Sequence, residues 1–145
     1  MSYLAVALGG FVGALLRFEI GHFFSSFVQQ SGFPWGTLII NLTGCFTLSL
    51  FLTLTLDFVS INPNLRLGVS TGFLGAYTTF STFALESIQL LQQGQYWSFG
   101  IYIFSSVLLG IAMSAFGLFT ARAIAEYRRN KFGEEEELSE NATGR

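Results

Sequence analysis

The sequence predicts an all-α membrane protein with four transmembrane helices. Three observations carry that class: a shortage of charge, four long apolar segments, and short polar breaks between them. Only 11% of the 145 residues are charged and 51% are hydrophobic, whereas a soluble domain carries roughly 25% charged residues. The apolar segments run over about 3–24, 37–59, 67–91 and 99–125, each longer than the ~20 residues a helix needs to cross about 30 Å of hydrocarbon. A helix satisfies its own backbone hydrogen bonds in lipid, so the crossings are expected to be helical. The breaks read "SSFVQQSGFPWG", "SINPNLR" and "QQGQYW", with Trp35, Tyr96 and Trp97 at segment ends. Amphipathic rings favour that interfacial position.

Span one is read as a span rather than a signal peptide. No basic residue precedes its apolar run, and Arg17 and Glu19 stand where a cleavage region would fall. His22, near its end, reads as interfacial. Span two carries Asn41 and the only cysteine, Cys45, so neither an intramolecular disulfide nor a thiolate metal cluster is available. Span three contains "GAYTTFSTF" (75–83), in which one glycine and five hydroxyl side chains surround Phe80 and Phe83. Span four carries Tyr102 and Ser106. Small residues recur at helix-packing spacing in Gly9-x-x-x-Gly13, Gly68-x-x-x-Gly72 and Ser106-x-x-x-Gly110-x-x-x-Ser114. Such spacing lets backbones approach closely, either within one subunit or between subunits.

After residue 127 the composition changes. "RRNKFGEEEELSENATGR" (128–145) is basic, then acidic, and offers little to bury; it is expected to be a disordered tail after the 1–127 transmembrane domain. Four spans place both termini and the second loop on one side, with Arg66, Arg122, Arg128, Arg129 and Lys131, whereas the first and third loops lack Lys and Arg. The positive-inside rule then favours a cytoplasmic C-terminus.

Depth follows from counting residues inward at about 1.5 Å each. From the side of the first and third loops, Asn41 lies about 7 Å deep, Tyr102 about 6 Å, and Phe83 and Ser106 about 12 Å, with Phe80 one turn further. Each has an ordinary structural role open to it. Asn41 can bridge helices, Phe80 and Phe83 have core spacing, and Ser and Thr bond back to their own helix. Their convergence suggests a polar pathway, because polar groups in hydrocarbon are costly unless they face a packed interior or a wet path. Arg17 and Glu86 lie about 10 Å and about 7 Å from matching span ends, so either a structural ion pair between them or snorkelling of Arg17 to the interface is expected. Gly75 to Thr78 falls roughly 20 Å in, near the midplane. Glycine with hydroxyls is where a helix opens and frees carbonyls, and such carbonyls suit an alkali cation.

Three stretches, "GGFVGALLRF" (9–18), "GTLIINLTGCF" (36–46) and "GFLGAYTTFSTF" (72–83), resemble the CrcB/Fluc family of small bacterial fluoride channels. The resemblance runs along all four spans and stops near Tyr127. It implies a dual-topology, antiparallel homodimer in the bacterial inner membrane, with two pores that pass fluoride out of the cell. It implies a structural sodium ion at the dimer centre, held by backbone carbonyls matching Gly75 and Thr78 at a break in the third helix. It places Asn41, Phe80, Phe83, Tyr102 and Ser106 on the fluoride pathway, with Thr37 a weaker carry-over, and matches Arg17 to the span-one motif arginine. Two features depart from the pattern: the Lys/Arg bias toward one side, and Gly110 one turn past Ser106, where a further serine would extend the polar track.

The alternative function is a proton-coupled exporter of the small multidrug type, which would need Glu19 as its central acid. A non-transporting membrane scaffold is the other alternative. No Ser/His/Asp set, metal cluster or phosphate loop suggests an enzyme, and the expected partners are fluoride, a second copy and membrane lipid, with no nucleic acid.

Overall fold

A computed structural model of the chain describes the backbone of residues 2–143 and the side chains of residues 2–131. Helix α1 covers Ser2–Ser31, and α2 covers Trp35–Thr53 before widening into a π-helical turn over Leu54–Phe58. The third segment is built from pieces: α3 (Pro63–Leu67), a π-helix over Gly68–Leu74, the single turn α4 (Gly75–Tyr77) and α5 (Phe80–Gln92). Helix α6 covers Tyr96–Thr143. Three stretches are long and apolar enough to cross a membrane, Ser2–Ser31, Trp35–Phe58 and Tyr96–Lys131. The protein is therefore an all-helical, multi-pass membrane protein.

Two element boundaries differ from the sequence reading. Helix α1 was expected to end near residue 24 and instead continues through "SSFVQQS" to Ser31. Polarity alone does not stop a helix. Chain-breaking residues do, and here Gly32 adopts φ 68° with Phe33 and Pro34 after it. The second difference is the expected disordered tail over 128–145. Backbone helix runs on to Thr143. Glu, Lys, Arg and Leu are good helix formers, and a helix already nucleated in the membrane extends with no new nucleation cost. The side chains beyond residue 131 and the last two residues lie outside the described residues.

The connection between α5 and α6 also ends on a left-handed glycine. Gly94 has φ 72°, its N–H donates to the Leu91 carbonyl at 3.0 Å, and the Gln95 N–H donates to the Leu90 carbonyl at 2.9 Å. This pair of bonds closes the last turn of α5 and reverses the chain tightly into α6.

The small-residue stripes are used inside the subunit. Helix α1 packs along the Gly68–Leu74 segment, and α2 packs along α6. A side chain at Gly9 would run into the Gly68 carbonyl and the Phe73 amide, and one at Gly13 into the Phe73 carbonyl. Across the same contact, a Cβ at Gly72 would lie 2.6 Å from the Val6 carbonyl oxygen. On the other pair, Ser49 Oγ donates to the Ser114 carbonyl at 2.7 Å. Of the two uses left open by the spacing, packing within the chain is the one these contacts serve. Gly13→Ala should therefore lower stability by about 1–3 kcal/mol, read as a lower thermal midpoint in detergent. Gly21→Ala is the control. A Cβ at Gly21 meets nothing within 4 Å, and its midpoint should not fall.

Candidate functional site

The break between α4 and α5 organises the site. Thr78 has φ −78° and ψ 157°, and Thr79 has φ −147° and ψ 119°, so the chain is extended for two residues. A continuous helix would send the Thr79 N–H to the Gly75 carbonyl and the Thr82 N–H to the Thr78 carbonyl. Both donors go elsewhere. The Thr79 N–H donates to Asn41 Oδ1 at 2.9 Å, and the Thr82 N–H donates to Thr79 Oγ1 at 3.2 Å. Asn41 Nδ2 completes the clamp by donating to the Thr79 carbonyl at 3.0 Å. A single asparagine on α2 thus takes the place of a peptide group and pairs both backbone polar atoms of Thr79. Thr79 caps the new helix, which explains why α5 restarts one residue later.

An open cleft of about 300 Å³ lies against this break. Asn41, Thr78 and Thr79 form one side, Phe80 and Phe83 another, and Ser106 with Val107 of α6 the third. The rings of Phe80 and Phe83 are 5.8 Å apart and tilted by 43°. Ser106 Oγ is buried and has no hydrogen-bond partner, although a helical serine normally bonds back to its own helix. Phe80 is 80% exposed, so one chain alone leaves that wall open. Among the described residues, no Lys, Arg, Asp or Glu side chain lines the cleft.

Glu86 lies one turn beyond Phe83. Its Oε1 accepts from Thr37 Oγ1 at 2.8 Å, and its Oε2 accepts from the Tyr102 hydroxyl at 2.7 Å. The Tyr102 ring is fully buried and stands 5.1 Å from the Phe83 ring, tilted by 53°. Glu86 also lines a second recess of about 270 Å³, with Gln89 and Gln93, near the α5 end. Glu86 thus joins Thr37 and Tyr102, and Phe83, which packs on the Tyr102 ring, also lines the cleft.

Of the residues assigned to the pathway from sequence, Asn41, Phe80, Phe83 and Ser106 meet in the cleft. Thr37 and Tyr102 meet one step away, on Glu86. The expected Arg17–Glu86 ion pair is not present among the described residues. Equal depth did not bring the two together, because α1 packs mainly on the Gly68–Leu74 segment and α4, not on α5, and both Glu86 oxygens already have donors. Two roles were missed from sequence. Thr79 is a cap, a role that the "TFST" pattern of Thr79 to Thr82 signals locally. Glu86 is the acceptor for Thr37 and Tyr102, which no local pattern signals, since Thr37 is 49 residues away.

The fold and the site define a multi-pass, all-helical membrane protein with an open cleft between α2, α5 and α6. The chain belongs to the CrcB family: the model for CrcB-like protein, Camphor Resistance (CrcB), matches residues 4–118. It is 47% identical over 122 residues to the fluoride-specific ion channel FluC of Hydrogenobaculum sp. (strain Y04AAS1), covering 82% of this chain and 96% of the relative. It is 43% identical over 124 residues to FluC of Acidobacterium capsulatum, covering 86% and 98% respectively. Against FluC 1 of Staphylococcus aureus (strain NCTC 8325 / PS 47), identity is 44% over 119 residues, covering 81% and 94%. The family is one of ion channels, and the chain is not an enzyme.

Proposed function

We propose that the protein is a fluoride channel that lets the ion leave the cell down its gradient, from the bacterial inner membrane. The observation that carries this reading is the buried, unpartnered Ser106 hydroxyl in a cleft shared with Asn41, Phe80 and Phe83. Fluoride holds water tightly, so a dry path must offer replacement donors, while a full positive charge would trap the ion. A free hydroxyl and an amide are modest donors, and phenylalanine edges carry the positive part of the ring quadrupole. Fluoride enters cells as the neutral acid and accumulates after dissociation, so a passive path suffices for export.

The pieces from Pro63 to Gln92 together form the third crossing, broken near the midplane. Freed carbonyls there are tolerated only where they are buried or line a cavity. Gly75 and Thr78 are among the carbonyls left without helical donors at the break, since the Thr79 N–H goes to Asn41 and the Thr82 N–H to Thr79. A chain offering two hard oxygens suits half of an alkali-cation site. Two antiparallel copies meeting at the break would complete it, with a structural sodium ion between them. The same pairing would cover Phe80, which one chain leaves exposed. A bound sodium ion supplies a fixed positive field that offsets part of the fluoride desolvation.

Proteoliposomes test both statements. Fluoride efflux should be fast and chloride efflux negligible with sodium present, and replacing all sodium with N-methylglucamine should abolish the fluoride signal. Equal efflux of the two anions would overturn the selective-channel reading. Sodium-independent fluoride efflux would overturn only the sodium site. The proton-coupled exporter has less support, because Glu19 is exposed on α1 and does not line the cleft; drug efflux lost in Glu19→Gln would revive it.

A further inference from the structure

A further cavity shares no lining residue with the cleft beside the break. It measures about 710 Å³ and opens between the end of α2 with its π-helical turn and the basic part of α6. Its inner wall includes Phe51, Leu54 and Phe58, and its outer wall includes Arg122, Arg128 and Arg129. Among the described residues, Glu126 is the only carboxylate lining it. The three arginines are exposed on α6, and none lies within salt-bridge range of a carboxylate among the described residues. Thr55, on the inner wall, already has its carbonyl engaged by Arg66 Nη2 at 2.8 Å, so it is a fixed part of the lining.

We infer that this cavity binds one anionic phospholipid of the surrounding bilayer, phosphate toward the arginines and acyl chain along the phenylalanine wall. Position supports it. The apolar run of α2 ends at Phe58, and on α6 the charges begin at Arg122, so the cavity spans the level where hydrocarbon gives way to headgroups. Charge supports it as well. Three guanidinium groups against one carboxylate favour a phosphate, which arginine recognises through paired N–H donors, and basic residues at a membrane edge attract anionic lipid. The acyl chain needs an apolar wall open to the bilayer, and residues 51–59 provide one.

The test is a lipid titration of the full-length protein in neutral detergent, read by native mass spectrometry. Phosphatidylglycerol and phosphatidylcholine with identical acyl chains are compared, with one lipid retained per chain. Wild type should hold phosphatidylglycerol at least about tenfold more tightly. The combined Arg122→Gln, Arg128→Gln and Arg129→Gln variant should lose that preference while binding phosphatidylcholine as before. Equal retention of the two lipids by wild type overturns the inference without any variant. Displacement of phosphatidylglycerol by millimolar inorganic phosphate would instead make this a soluble-anion site. A variant with intact lipid preference but a weakened dimer would assign the cavity to a second copy of the chain. Either result also overturns it.

Discussion

Asn41→Asp should abolish fluoride efflux from proteoliposomes while the protein still assembles. The substitution keeps the acceptor for the Thr79 N–H but removes the donor to the Thr79 carbonyl. It also places a carboxylate on a cleft that has no charge of its own among the described residues. A like charge about 5 Å from the ion, at an effective dielectric of about 20, costs roughly 3 kcal/mol, which slows passage about two hundredfold. Losing one hydrogen bond at the break costs about 1–3 kcal/mol in addition, so the variant should elute at the wild-type volume but unfold at lower temperature. Size-exclusion chromatography and an efflux assay separate the two effects. Wild-type efflux from assembled Asn41→Asp protein would remove Asn41 from the pathway and leave it only its role in closing the break.

Thr37→Val combined with Tyr102→Phe should produce the largest loss of stability. The two substitutions remove both donors to Glu86 and leave a carboxyl group without partners inside the protein. Each hydrogen bond to a charged group contributes about 1.5–3 kcal/mol, so the pair should cost about 3–6 kcal/mol. The single substitutions should each cost about half of that. Adding Glu86→Met to the double variant should recover much of the loss, because an apolar group of similar length needs no donor. Unfolding midpoints in detergent decide the matter. A double variant as stable as wild type would mean that water reaches Glu86 from the recess beside Gln89 and Gln93 and replaces the lost donors.

How far the sequence carried the site can be seen residue by residue. Depth counting placed Asn41, Phe83 and Ser106 in one half of the bilayer, and the structure brings them to one cleft. The same counting paired Arg17 with Glu86 and failed, since depth fixes one coordinate of three and the helices that carry these residues do not pack closely together. The hydroxyl-rich stretch after Gly75 signalled an opening of the helix. Its closure by Asn41, 38 residues away, was not legible, because an asparagine within a span reads equally well as a bridge between helices. Charge patterning past residue 127 suggested disorder, whereas helix propensity carried the backbone on to Thr143.

By itself the sequence determined what depends on local composition and period. That comprises the membrane class, the helical character, the extent of the apolar runs and the family motifs. The reason is that transfer into hydrocarbon sums over neighbouring residues along one helix and needs no knowledge of the partner. Only the tertiary structure decided which polar atoms meet. The Asn41 clamp on Thr79, the shared carboxylate of Glu86, the free Ser106 hydroxyl and the glycine contacts of α1 all join distant segments or depend on how those segments pack. Such contacts require helix faces to turn toward each other within hydrogen-bond or van der Waals range, and spacing within one segment carries no record of that rotation.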